Sequence, residues 1–125
     1  MRIISSAPHL LVSDVPRTVD WFVDVLGFKR PKLWGDPPEF AMPKRDGFIV
    51  MVQYCADVAP KPHGVDQYTD AYFWVQDLAP WVEEIRARGA EITEGPVDRP
   101  AYDMRELIVR SPDGHLLVFA EDIGE

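Results

Sequence analysis

The apolar positions of the chain follow two rhythms in succession, and they do so twice. "HLLV" at residues 9–12 is a short apolar run of strand type. After it, Val15, Val19, Phe22, Val23 and Leu26 recur at the three- and four-residue spacing of one helix face. The same succession returns at 72–92, where "YFWV" precedes Leu78, Trp81, Val82 and Ile85. Asp14 and Asp77 stand where a short carboxylate accepts first-turn amides. Pro16 and Pro80 are tolerated just inside, where those amides have no intrahelical acceptor to lose. Gly27 and Gly89 are placed to close each helix in a left-handed C-cap.

The segments that follow repeat as well. "RDGFIVMVQY" at 45–54 parallels "PDGHLLVFAE" at 112–121, each an Asp-Gly turn feeding a β-rich run. Before them lie the expected strands "EFAMPK" at 39–44, which Pro43 marks as an edge, and "MRELIVR" at 104–110. The polar, Pro- and Gly-bearing stretch between the halves reads as a linker. The expectation is a single α+β domain over 1–125: two tandem βαβββ modules, about 5–58 and 68–121, joined at about 59–67. Their strands should form a curved mixed sheet around a central cavity, with the helices outside.

Composition narrows the function classes. At 125 residues and 46% apolar content, the chain is long enough to bury a core of its own. A formal charge of -8, with 13 scattered Lys and Arg, argues against a nucleic-acid partner, because phosphate neutralisation needs clustered cations. Cys55 is the single cysteine, which excludes a disulfide framework and a cysteine zinc cluster. No apolar run approaches a membrane span, and the first residues, broken at Pro8, are too short for a signal peptide. A cytoplasmic setting is the default expectation.

The segments "DVPRTVDWFVDVLGF" and "YDMRELIVRSPDGHLLVFAE", with the duplicated βαβββ layout, resemble the vicinal oxygen chelate superfamily, which includes glyoxalase, extradiol dioxygenases and the fosfomycin and bleomycin resistance proteins. The resemblance covers roughly residues 5–121. It implies a metal site with four inward-facing ligands, one on the first and one on the last strand of each half. Transferred residue by residue, those positions are Ala7, Met51, Asp70 and Val118. Asp14 and Asp77 are 63 residues apart, as are Ala7 and Asp70, so the internal repeat supports the register. Ala and Val offer no donor, and a Met thioether is too soft for the ions such sites use. The expectation is therefore no metal and no cofactor.

Strand alternation then proposes a binding cavity. His9, Met51, Gln53, Asp70, Tyr72, Trp74 and Val118 share one face, with Ile49 and Leu116 deeper. Trp34, in "RPKLWGDPPEF" at 30–40, is placed to fold over as a lid. Tyr102, Met104 and Arg105 lead into the strand beside the pocket, and alternation alone leaves open whether Arg105 or Glu106 faces inward. Aromatic walls with a few polar groups suit a small molecule. The resemblance implies a homodimer that sequesters a cationic or aromatic ligand. The alternatives are a metal-dependent lyase or dioxygenase with an atypical site, built for example on His9, Gln53 and Asp70, or a metal-free isomerase using Asp70 or His9 as base.

Overall fold

The computed structural model describes residues 1–58 and 69–124. The chain divides into two compact units, Met1–Ala59 and Pro60–Glu125. The expected linker at about 59–67, with His63, lies outside the described residues.

The first unit runs β1 (His9–Val12), α1 (Val15–Asp24), β2 (Leu33–Trp34), β3 (Phe40–Ala41), β4 (Lys44–Arg45), β5 (Phe48–Ile49) and β6 (Met51–Tyr54). Its four-stranded sheet has the order β1-β6-β3-β2, with β1 parallel to β6 and the other pairs antiparallel. Leu10, Val12, Ala41, Val50 and Val52 are buried with Val15, Val19, Phe22 and Leu26 of α1, so helix and sheet close one core between them. The helix starts because the Asp14 carboxylate accepts the Arg17 amide at 3.0 Å, satisfying a first-turn donor. The β4–β5 hairpin turns on Asp46 and Gly47, both at positive φ, as the twist of a two-residue hairpin loop requires.

The second unit repeats this plan with β7 (Ala71–Trp74), α2 (Leu78–Ala87), β8 (Glu91–Arg99), β9 (Met104–Arg110) and β10 (Leu116–Asp122). Its sheet order, β7-β10-β9-β8, mirrors the first, again with the first and last strands parallel. The registers coincide: His9 faces Met51 across the first parallel pair, and Tyr72 faces Val118 across the second. Met51 and Val118 are therefore equivalent positions. Trp81 of α2 lies on Phe119, with ring centroids 4.4 Å apart, and Phe119 stacks on Phe73, which identifies the helix-covered face of this sheet.

Four details depart from the sequence-based expectations. Pro43 lies two residues beyond β3, and β3 is not an edge, since it lies between β6 and β2. Trp34 belongs to the short strand β2, paired with Phe40, and not to a free loop. Asp77 precedes α2 without capping it, because its backbone is left-handed at φ 55 and its side chain accepts no helix amide. β8, to which the sequence pattern assigns no segment, carries "EGPV" at 94–97 as a bulge, tolerated because β8 is the outer strand of its sheet.

Candidate functional site

The most developed polar arrangement belongs to the second unit, on the sheet face turned away from α2. Glu106 of β9 lies level with Ala120 of β10, which lies level with Trp74 of β7, so the three share that face in one row. Glu106 is 5% exposed and is the only buried carboxylate among the described residues. A buried charge needs partners, and it has three. The Tyr72 hydroxyl donates to Oε2 at 2.6 Å, the Tyr102 hydroxyl donates to the same oxygen at 3.1 Å, and Arg99 Nε donates to Oε1 at 3.0 Å. Arg99 Nη2 also donates to Glu94 at 2.8 Å, which fixes the guanidinium between two carboxylates.

Backbone geometry builds this centre. Tyr102 comes from the turn after β8, where its amide bonds the Arg99 carbonyl at 3.2 Å and Asp103 takes φ 56, sending the chain back over the sheet. The bulge in β8 brings Gly95 against the Glu106 backbone so closely that any Cβ there would collide with the Glu106 carbonyl oxygen. Around the centre, Met104, Ile108, Val118 and Ala120 form an apolar cluster with Tyr72 and Leu116 packed on it. Trp74 meets Tyr72 at 5.0 Å with the rings tilted by 56°, and remains 75% exposed.

Electrostatics assign the protons. Burial raises the Glu106 pKa, but the hydrogen bonds from Tyr72, Arg99 and Tyr102, aided by the charge of Arg99, outweigh it and hold the carboxyl below its ordinary value. Tyr72 is pushed well up by burial, then by its bond to Glu106 and the carboxylate charge. Tyr102 moves up for the same reasons. At neutral pH the centre thus holds one carboxylate and two intact phenols, an arrangement suited to fixing side chains and not to accepting a substrate proton.

The other sequence-based candidates are divided between the two units. Tyr72, Trp74, Met104 and Val118 share the face of Glu106, and Tyr102 reaches it from the turn. Arg105 points to the opposite face and is held by Asp98 at 2.7 and 3.3 Å, so Glu106 is the member of that pair on the face turned away from α2. Asp70 accepts the Leu116 amide at 2.8 Å, so its carboxylate helps to anchor the start of β10. In the first unit, Gln53 lies level with Leu11 and Phe40, and Phe40 lies level with Trp34. His9 is exposed and meets Phe40 edge-on at 6.5 Å, and Lys32 Nζ sits 4.0 Å above the Trp34 ring. Arg99 and Glu94 are the members that sequence reasoning missed; their signal was the charge spacing within "EGPVDR", a stretch to which no element was assigned.

The four positions at which the resemblance places metal ligands do not fit a divalent ion. Ala7 and Val118 carry no donor, and Val118, 2% exposed, is part of the apolar cluster. Among the described residues no three His, Cys, Asp or Glu side chains converge as a metal group.

Comparisons with known proteins agree with this architecture. The model of the Glyoxalase/Bleomycin resistance protein/Dioxygenase superfamily matches residues 5–119. Among solved structures, TioX from Micromonospora sp. ML1 is 28% identical, with a TM-score of 0.70 over 92% of this chain and 95% of that one. The genomically encoded fosfomycin resistance protein FosX from Listeria monocytogenes shares the fold at 15% identity, with a TM-score of 0.72 over 97% and 94% of the two chains. An integron cassette protein from the mobile metagenome of the Halifax Harbour sewage outfall does so at 17% identity, TM-score 0.73, over 92% and 95%. No curated protein matches the sequence. With its duplicated strand–helix–strand units and a match over residues 5–119, the chain belongs to the glyoxalase/bleomycin resistance protein/dioxygenase superfamily, the vicinal oxygen chelate superfamily that its sequence resembles.

Proposed function

We propose that this protein binds and sequesters a small organic molecule, cationic or aromatic, without a resident metal. The observation that carries the reading is the exposed aromatic face of the second unit, where Trp74 and Tyr102 stand beside a buried carboxylate whose hydrogen bonds all come from the protein's own side chains. Rigid aromatic walls with a few oriented polar groups are the usual make-up of a small-molecule site. The overall charge of -8 favours a cation in solution. Metal-dependent lyase or dioxygenase chemistry finds too few donors at Ala7, Met51, Asp70 and Val118. His9, Trp34, Met51 and Gln53 of the first unit belong to the same proposal as a second aromatic and polar sheet face.

The test is a fluorescence titration of chelator-treated protein with a planar aromatic cation such as an acridinium dye, alongside elemental analysis of untreated protein. Saturable tryptophan quenching in the chelator, with metal below about a tenth of an equivalent, is expected. Quenching that appears only after manganese, iron, nickel or zinc is added overturns the reading.

A further inference from the structure

We infer that Tyr72, Trp74 and Tyr102 form an aromatic cradle for an alkylated ammonium group, with the buried Glu106 as its fixed negative backing. The inference rests on the binding reading above and names the chemical class of the ligand. Three observations in the second unit carry it.

The first is convergence. The Tyr72 and Tyr102 hydroxyls donate to the same Glu106 oxygen, at 2.6 and 3.1 Å, which pins one ring from β7 and one from the turn after β8 to a common point. Trp74 leans on Tyr72 at 5.0 Å with an interplanar angle of 56°, so their faces open as a wedge and do not stack flat. Trp74 and Glu106 are separated in their row by Ala120 alone, roughly 10 Å across two strand spacings, and that small side chain leaves the row low between them. A group with several methyls on one nitrogen is of this size.

Charge is the second. Glu94, Arg99 and Glu106 form one hydrogen-bonded chain containing two carboxylates and one guanidinium, so the cluster carries a net negative charge. A phenol that donates to a carboxylate gains electron density on its ring, which strengthens the attraction of a cation to the ring face. Glu106 is 5% exposed and both of its oxygens already accept from protein donors, which leaves a ligand no open approach for a direct salt bridge. What remains for a ligand is the aromatic surface in front of a buried charge, which favours a cation without hydrogen-bond donors.

Exposure is the third. Trp74 is 75% and Tyr102 54% exposed although both belong to an ordered strand or turn, so the rings are held in place and still open to solvent. Large rings left exposed on a rigid face are characteristic of binding surfaces.

The experiment uses the full chain and choline as the probe, with choline's neutral isostere, in which carbon replaces the ammonium nitrogen, as control. Binding is followed by the shift of the Trp74 indole N–H signal in nitrogen-15 spectra. Choline should move that signal saturably, and the neutral isostere should bind at least about tenfold more weakly, the discrimination a desolvated cation–π contact supplies. Trp74→Leu, at an exposed position and followed by the backbone amide signals of Tyr72 and Ala120 in place of the lost indole, should keep the rest of the spectrum and weaken choline by a similar factor. Equal affinity for the isostere, or undiminished affinity in Trp74→Leu, overturns the cradle. If the acridinium dye binds and choline does not, the cradle falls and the binding reading stands; if neither binds, both fall.

Discussion

Glu106 organises its surroundings because a carboxylate removed from water must be met by donors, and Tyr72, Tyr102 and Arg99 are those donors. Replacing Glu106 with Gln removes the charge that makes these bonds strong, and a loss of about 1.5–3 kcal/mol in urea unfolding is expected. Tyr72→Phe, which deletes one donor and leaves the carboxylate two, should cost about 1 kcal/mol. The pH dependence follows from the lowered folded-state pKa. The contribution of Glu106 is complete above the unfolded value, roughly 4.3, and is lost as pH falls through the lower folded value. Stability measured from pH 6 down to pH 3 should thus fall more steeply in the native protein than in Glu106→Gln; parallel curves would remove Glu106 from the acid response. Alternation along "MRELIVR" left the choice between Arg105 and Glu106 open for a physical reason: Leu107 and Val109 make one face of β9 apolar, and Met104 and Ile108 do the same for the other. A strand buried on both faces carries no polarity signal for register.

At the scale of elements, two aspartates in equivalent sequence positions act differently. Asp14 caps α1, and Asp14→Ala should cost about 1 kcal/mol by thermal or chemical unfolding. Asp77 makes no cap and holds a left-handed backbone, so Asp77→Gly, which relieves that conformation, should leave stability unchanged or raise it by up to about 1 kcal/mol. Equal losses at both sites would contradict this difference. The bulge in β8 depends on a glycine. Gly95 has φ 94 and faces the Glu106 backbone, so Gly95→Ala must push β8 off β9 at the level of the carboxylate. The helices and the strand pair β9–β10 were legible because their apolar spacing is long and regular. The strand β2, two residues long, and the interior place of β3 were not, because such short segments acquire their structure from the strands they pair with.

For the molecule as a whole, the duplication is the dominant fact. Both units share strand order, parallel closure and register, down to the equivalence of Met51 and Val118. Each sheet is covered on one face by its helix and carries aromatic side chains on the other, and the superfamily association makes a homodimer the assembly to test. Light scattering should give roughly twice the 14.2 kDa of one chain; a monomeric mass at micromolar concentration would remove that expectation. No helix among the described residues is long and apolar enough to cross a membrane.

The sequence by itself determined the repeat, the helix and strand identities of its long periodic segments and the absence of donors at Ala7 and Val118, because periodicity and side-chain chemistry are local properties. The tertiary structure alone decided that Glu106 and not Arg105 joins Tyr72 and Tyr102, that Arg99 completes the group across a bulge, and that Asp70 is engaged by the Leu116 amide. Those contacts join residues on different strands, and their partners are selected by strand register, which no local pattern along this chain encodes.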